Sequence, residues 1–192
     1  PLRYSPVIRA LRGIIGCQRV YSVRAVCSSY LPDWRPGSDY RQTYSAKKEL
    51  GGGVDIDLIH EWDYIVDLFG FPEKVYRICG KYSDLEIDSA DIAVYIAAYE
   101  HMVAELHLDY FGREAKREIE LLTADGTIVG DLIRNAVSFT NTGEQVHFAE
   151  DQNDMYLREM RFFLSRILEG KAFNNIRYCL AVLTIALGRE FA

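Results

Sequence analysis

The chain has 192 residues, 49% of them hydrophobic and 26% charged, with a net charge of −6. That length builds one domain with a full core and needs no disulfide or metal staple. The acidic balance argues against a nucleic-acid or anionic-membrane binder, because such partners require a basic footprint. No apolar run reaches the length of a membrane span. Cys17, Cys27, Cys79 and Cys179 form no CxxC pair and none stands at zinc-ligand spacing from a histidine. They read as buried, reduced thiols of a cytoplasmic protein.

The chain starts at Pro1, without Met or a signal peptide, and Leu2-Arg3-Tyr4-Ser5-Pro6 reads like the middle of a protein. No Gly-rich strand–turn–helix that could cradle a pyrophosphate occurs. Gly51-Gly52-Gly53 is the nearest approach to GxGxxG. A dinucleotide, if one is used, is therefore expected to be held by something outside this chain.

Apolar residues at Val7, Ile8, Leu11, Ile14 and Ile15 have helical spacing, with Gly16 as the stop. Arg19 to Ser29, rich in Val and Tyr, reads as a strand. Tyr30 to Leu50 carries prolines and polar residues and reads as a long loop, of the kind that is often functional. A helix is expected over Ile56 to Phe69, its apolar residues close to one stripe and Gly70 ending it. Strands follow at Lys74–Gly80, Asp91–Ala98, Val103–Tyr110, Lys116–Thr123 and Ile128–Leu132. Ala98 to His101 and Ala124-Asp125-Gly126-Thr127 are the expected hairpin connections. A long helix is expected from Asp151 to Glu169, broken by Gly170, and a final one from Asn174 to Leu187. This order predicts a single α+β domain over 1–192, an open, mostly antiparallel or mixed sheet with helices packed on one face.

The densest chemical signal runs from Gly51 to Tyr64. On one helix Asp57, His60 and Tyr64 fall at i, i+3 and i+7 and share a face. An Asp beside a His fixes the imidazole tautomer and supports its protonated form, as a general acid/base needs. The plainer reading makes Asp57 a helix-start residue and His60 a satisfied buried histidine. In the long loop, Arg35, Tyr40, Arg41 and Tyr44 are candidates for substrate contact, since Arg forks onto oxyanions and Tyr bonds hydroxyls. The competing reading of each is a solvated loop residue. His101 and His107 read as turn and sheet-face residues, and His147 with Glu150 and Asp151 as a helix entry rather than a metal site.

Gly-Gly-Gly, then Asp57, His60, Asp63 and a closing Leu68-Phe69-Gly70, resembles the signature of the C-terminal domain of the Gfo/Idh/MocA oxidoreductases. The likeness extends in order along the chain, through Arg3-Tyr4-Ser5-Pro6, Phe71-Pro72-Glu73-Lys74-Val75, Asp88-Ser89-Ala90-Asp91, Leu121 to Thr127, and Tyr156 to Lys171 with its Tyr156, Glu159 and Phe163. The resemblance implies a missing N-terminal Rossmann domain, which binds NAD or NADP and carries the family's Glu-Lys-Pro lysine; neither that motif nor a nucleotide fingerprint occurs here. It implies a parent enzyme acting on a hydroxyl of a sugar, polyol or sugar derivative, with no cofactor expected on this chain alone. His60 then takes the hydroxyl proton and Asp57 supports it. The family spaces Asp four before His, against three here, so Asp57 is the choice and Asp55 the alternative. The resemblance also implies homo-oligomers paired through the sheet face bearing Glu105, His107 and Asp109. A non-catalytic sugar-binding or oligomerisation module of the same fold is the other reading.

Overall fold

The computed structural model describes residues 1–171 and 175–189. The first helix, α1, is Pro6–Ile15. Ser5 starts it, its hydroxyl accepting from the Ile8 N–H at 3.2 Å, and proline at the first position needs no N–H partner. Its apolar side, Val7, Ile8 and Leu11, is fully buried. Strand β1, Val20–Tyr30, follows. Residues 31–50 form the expected long connection, shaped by four short 3-10 turns.

The helix expected over Ile56 to Phe69 is two. Helix α2 is Val54–Asp57 and α3 is His60–Phe69. Leu58, at φ −103° and ψ 24°, takes the chain out of helix between them. The single face shared by Asp57, His60 and Tyr64 therefore does not exist. Periodicity missed the break because Leu58 and Ile59 keep the apolar pattern running and no Pro or Gly marks it.

Strands β2 (Lys74–Gly80), β3 (Ile92–Ala98), β4 (Val103–Asp109) and β6 (Gly126–Asp131) match the expected ones closely, whereas β5 (Phe111–Thr123) begins at Phe111, well before the expected Lys116. Two short strands, β7 (Ala136–Phe139) and β8 (Gln145–His147), were not anticipated. His147 thus lies on an exposed edge strand instead of at a helix entry. Helix α4 is Gln152–Leu168, with an Asp151/Asp154 capping box. Helix α5 is Ile176–Ala186. Its expected start at Asn174 lies outside the described residues.

The described strands form one sheet in the order β2-β3-β4-β1-β5-β6-β7-β8. β1 is central, parallel to β4 and antiparallel to β5. The excursion through the long loop, α2 and α3 is what carries the chain from the centre of the sheet to its β2 edge. Alternate residues of the central strands, Val23 and Ala25, Leu106 and Leu108, Ile119 and Leu121, face the core. Trp62 of α3 meets Tyr95 of β3 edge-on there, with centroids 5.2 Å apart. The fold is α+β with an open mixed sheet. All four cysteines are free, but Cys17 and Cys179 are exposed, contrary to expectation. Cys17 sits in the turn after α1, whereas Cys27 lies on the core side of β1. Among the described residues no helix is long and apolar enough to cross a membrane.

Candidate functional site

The three glycines position the start of the site. Gly51 and Gly53 take positive φ, 83° and 149°. Gly52 is needed for closeness: a Cβ there would sit 2.1 Å from the Tyr44 carbonyl oxygen and under 3 Å from those of Ser45 and Lys47. The glycines seat α2 against the long loop. That cradle presents carbonyl oxygens, where a pyrophosphate needs N–H groups, and the helix behind it has four residues. These residues do not fit a dinucleotide.

Asp57, at the end of α2, accepts a 2.7 Å hydrogen bond from the Tyr110 hydroxyl. Tyr110 is fully buried, with Trp34 edge-on at 5.3 Å. Burial, then the bond to Asp57, pushes its phenol far up, so it remains a donor. Asp55, the alternative, pairs instead with Arg77 of β2. No hydrogen bond joins Asp57 to His60 among the described residues.

His60 opens α3 beside two clefts. One, about 1130 Å³, lies among the N-terminal turn, α1, α3, α4 and α5, with Arg3, Asp63, Tyr156 and Tyr178 on its walls. The other, about 400 Å³, is bounded by Ser5, Arg117, Leu132 and Met155. The imidazole lines both. Burial draws its pKa below the usual histidine range, so the neutral ring that can accept a proton is favoured. Asp63 and Asp67 hold the entry in place: Arg3 forks onto Asp63, Nε at 2.7 Å, and Arg12 binds Asp67. Arg3 also stacks on Tyr178, 4.5 Å from the ring centre.

The loop candidates are divided. Arg41 is committed, with Nε 2.8 Å from Asp39 and a second nitrogen 3.2 Å from Glu86. The Tyr40 hydroxyl accepts from the Glu86 N–H at 3.1 Å. These bonds, with that of Ser89 Oγ to the Ser45 carbonyl at 2.6 Å, fasten the loop to residues 86–89. Arg35 and Tyr44 are exposed, the guanidinium 5.7 Å from the ring centre. They are the two free to meet a ligand. Among the described residues no cluster of three or more His, Cys, Asp or Glu could hold a metal.

Three residues in this region escaped the sequence reading. Tyr110 is one. The others are Glu61, wholly buried in the first turn of α3, and Arg117 of β5, which forks onto it at 2.6 and 3.2 Å. Both charges carried a signal. Glu61 is four residues before Ile65 on the apolar stripe, and Arg117 shares strand parity with Ile119 and Leu121.

No family model matches the sequence, and neither does a curated protein. Solved structures do match. UDP-N-acetylglucosamine 3-dehydrogenase GnnA from Acidithiobacillus ferrooxidans is 22% identical, with a TM-score of 0.73 over 97% of this chain and 57% of its own. D-galactose-1-dehydrogenase from Rhizobium etli is 18% identical, with a TM-score of 0.71 over 99% and 59%. GenD2 from gentamicin A biosynthesis, in complex with NAD, is 15% identical, with a TM-score of 0.73 over 97% and 58%. The chain spans less than three fifths of each neighbour. The fold is that of the C-terminal domain of Gfo/Idh/MocA-type oxidoreductases.

Proposed function

We propose that this chain is the C-terminal, substrate-side part of a longer NAD- or NADP-dependent oxidoreductase acting on a hydroxyl of a sugar, polyol or sugar derivative. The observation that carries the reading is His60, a partly buried imidazole with no hydrogen bond among the described residues, lining two clefts, in a fold whose neighbours include two sugar dehydrogenases. A nicotinamide held outside this chain supplies the hydride acceptor. His60 removes the hydroxyl proton as the C=O bond forms, and Asp57, bonded to Tyr110, stands in the turn before it. Arg35 and Tyr44 meet the substrate at the loop. The protein works in the cytoplasm, where its four free thiols stay reduced, and pairs with its own copies through the sheet.

Turnover tests the reading. The longer protein is given a panel of sugars and polyols with NAD or NADP, and reduced nicotinamide is followed by absorbance. His60→Asn is expected to lower kcat by about 100- to 10,000-fold, the contribution of a positioned general base, with cofactor affinity unchanged. Near-parental turnover in His60→Asn overturns the catalytic assignment. The chain alone is expected to give no saturable binding of NADH or NADPH by fluorescence titration; micromolar saturation would require a nucleotide site on this domain.

A further inference from the structure

We propose that the buried Glu61–Arg117 pair is a positioning device for His60, fixing the first turn of α3 to β5 and setting the electrostatic surroundings of the imidazole. This rests on the reading of His60 as the proton acceptor. Glu61 follows His60 directly and is wholly buried, an expensive place for a carboxylate without a strong partner. Arg117 answers with a two-pronged grip, and it lines the smaller cleft together with His60. A two-pronged contact fixes orientation as well as distance. The pair thus anchors α3 at the very residue that bears the imidazole, opposite a strand that cannot move without disturbing the sheet centre.

The other charges near His60 largely cancel among themselves. On its own helix and the N-terminal turn, Asp63 is taken by Arg3. From α1, Arg12 is paired with Asp67, while Arg9 is exposed. From α4, Asp151 caps its own helix and Glu159 is open to water. Tyr4, Tyr156, Tyr178 and Cys179 complete the titratable wall. Glu61 and Arg117 remain as the strongest charged influences on the ring, after burial itself. Glu61 favours the imidazolium, Arg117 opposes it, and Glu61 has the larger effect. The carboxylate offsets part of the burial effect on the ring.

The test needs no turnover, so its outcome is separate from that of the functional reading. The His60 ring of this chain is titrated by NMR, its signals assigned through His60→Asn. In Glu61→Gln, which keeps a hydrogen bond to Arg117, the midpoint should fall by about half a pH unit or more. Arg117→Gln leaves the buried Glu61 carboxylate unpaired, which favours its neutral form, so the midpoint should move away from that of the parent there too. If either variant does not fold, the double variant is read. It leaves no buried charge unpaired and should titrate below the parent, because Glu61 outweighs Arg117. A purely structural pair would leave the midpoint in place while lowering the unfolding midpoint. Folded variants whose His60 titrates within about 0.2 units of the parent overturn the proposal.

Discussion

At the residue scale, three neighbouring acids of the glycine-led segment have parted ways. Asp55 neutralises Arg77, Asp57 receives the Tyr110 hydroxyl, and Asp63 holds Arg3. Asp55→Ala strands a mostly buried guanidinium and should cost about 2 kcal/mol or more. Asp57→Ala leaves a buried hydroxyl without its acceptor, for about 1–3 kcal/mol. Tyr110→Phe should cost less, near 1 kcal/mol, because the part-exposed Asp57 carboxylate can turn to water. Urea unfolding of the three variants checks the order, and a Tyr110→Phe loss exceeding that of Asp57→Ala would contradict it.

Asp91 gives a pH dependence of the same kind. It is fully buried, and burial alone would raise its pKa. Bonds from the Ser83 hydroxyl and the Tyr82 and Ser83 N–H groups, with Lys81 nearby, win and hold it below the ordinary carboxylate value. A depressed folded pKa contributes stability that is complete above the unfolded value, about 3.9, and is lost as pH falls through the folded one. Asp91→Asn should therefore be less stable at pH 7 and lose less stability than the parent on acidification to pH 3. Parallel stability–pH curves for the two proteins would remove Asp91 from the acid response.

At the element scale, the glycines separate closeness from conformation. A Cβ on Gly52 meets backbone oxygens that cannot retreat without moving the loop. Gly52→Ala should cost about 3 kcal/mol, the upper end of overpacking. Around Gly51 there is open space, and only its φ of 83° is at stake, so Gly51→Ala should cost about 1–2 kcal/mol. Thermal midpoints that rank them the other way would refute the seating of α2 on the loop. What the sequence showed of these elements follows from how local their causes are. The alternation in Val103 to Leu108 and the hairpin turn after Thr123 act over two to four residues; the first is where it was expected, and the turn falls on Ala124 and Asp125, one residue before the Asp-Gly pair, with Gly126 opening β6. The Asp57–Tyr110 and Glu61–Arg117 contacts join residues 53 and 56 positions apart. No periodicity reaches that far, so the surroundings of His60 could be read only as two misplaced charges on buried faces.

At the scale of the molecule, the sheet face away from the helices decides what the chain meets. Its β2–β3 end exposes Tyr76 at 56%, Ile78 at 64% and Ile96 at 50%, with Val103 beside them on β4. Tyr76 pairs across the strands with Ile96, and Ile78 with Val94, so the apolar residues form one patch rather than scattered sites. Toward the centre, Arg24 stands 3.5 Å from Glu105 and 3.9 Å from Glu120. That group, one Arg between two Glu, is cheaper to cover than a field of one sign. Asp109 is already buried beneath His107, Ser28 and two N–H groups, so the polar row expected to face a partner is chiefly Glu105 and His107. A second copy supplies the same patch, and a two-fold contact would be isologous. The chain is therefore expected to show concentration-dependent dimers in sedimentation equilibrium. Ile78→Lys, on the face that packs no helix, should shift the equilibrium toward monomer by at least tenfold, about 1.4 kcal/mol, while leaving the unfolding midpoint of the monomer unchanged. A parent that stays monomeric at high concentration, or an Ile78→Lys variant that dimerises as the parent does, would place the partner of this face elsewhere.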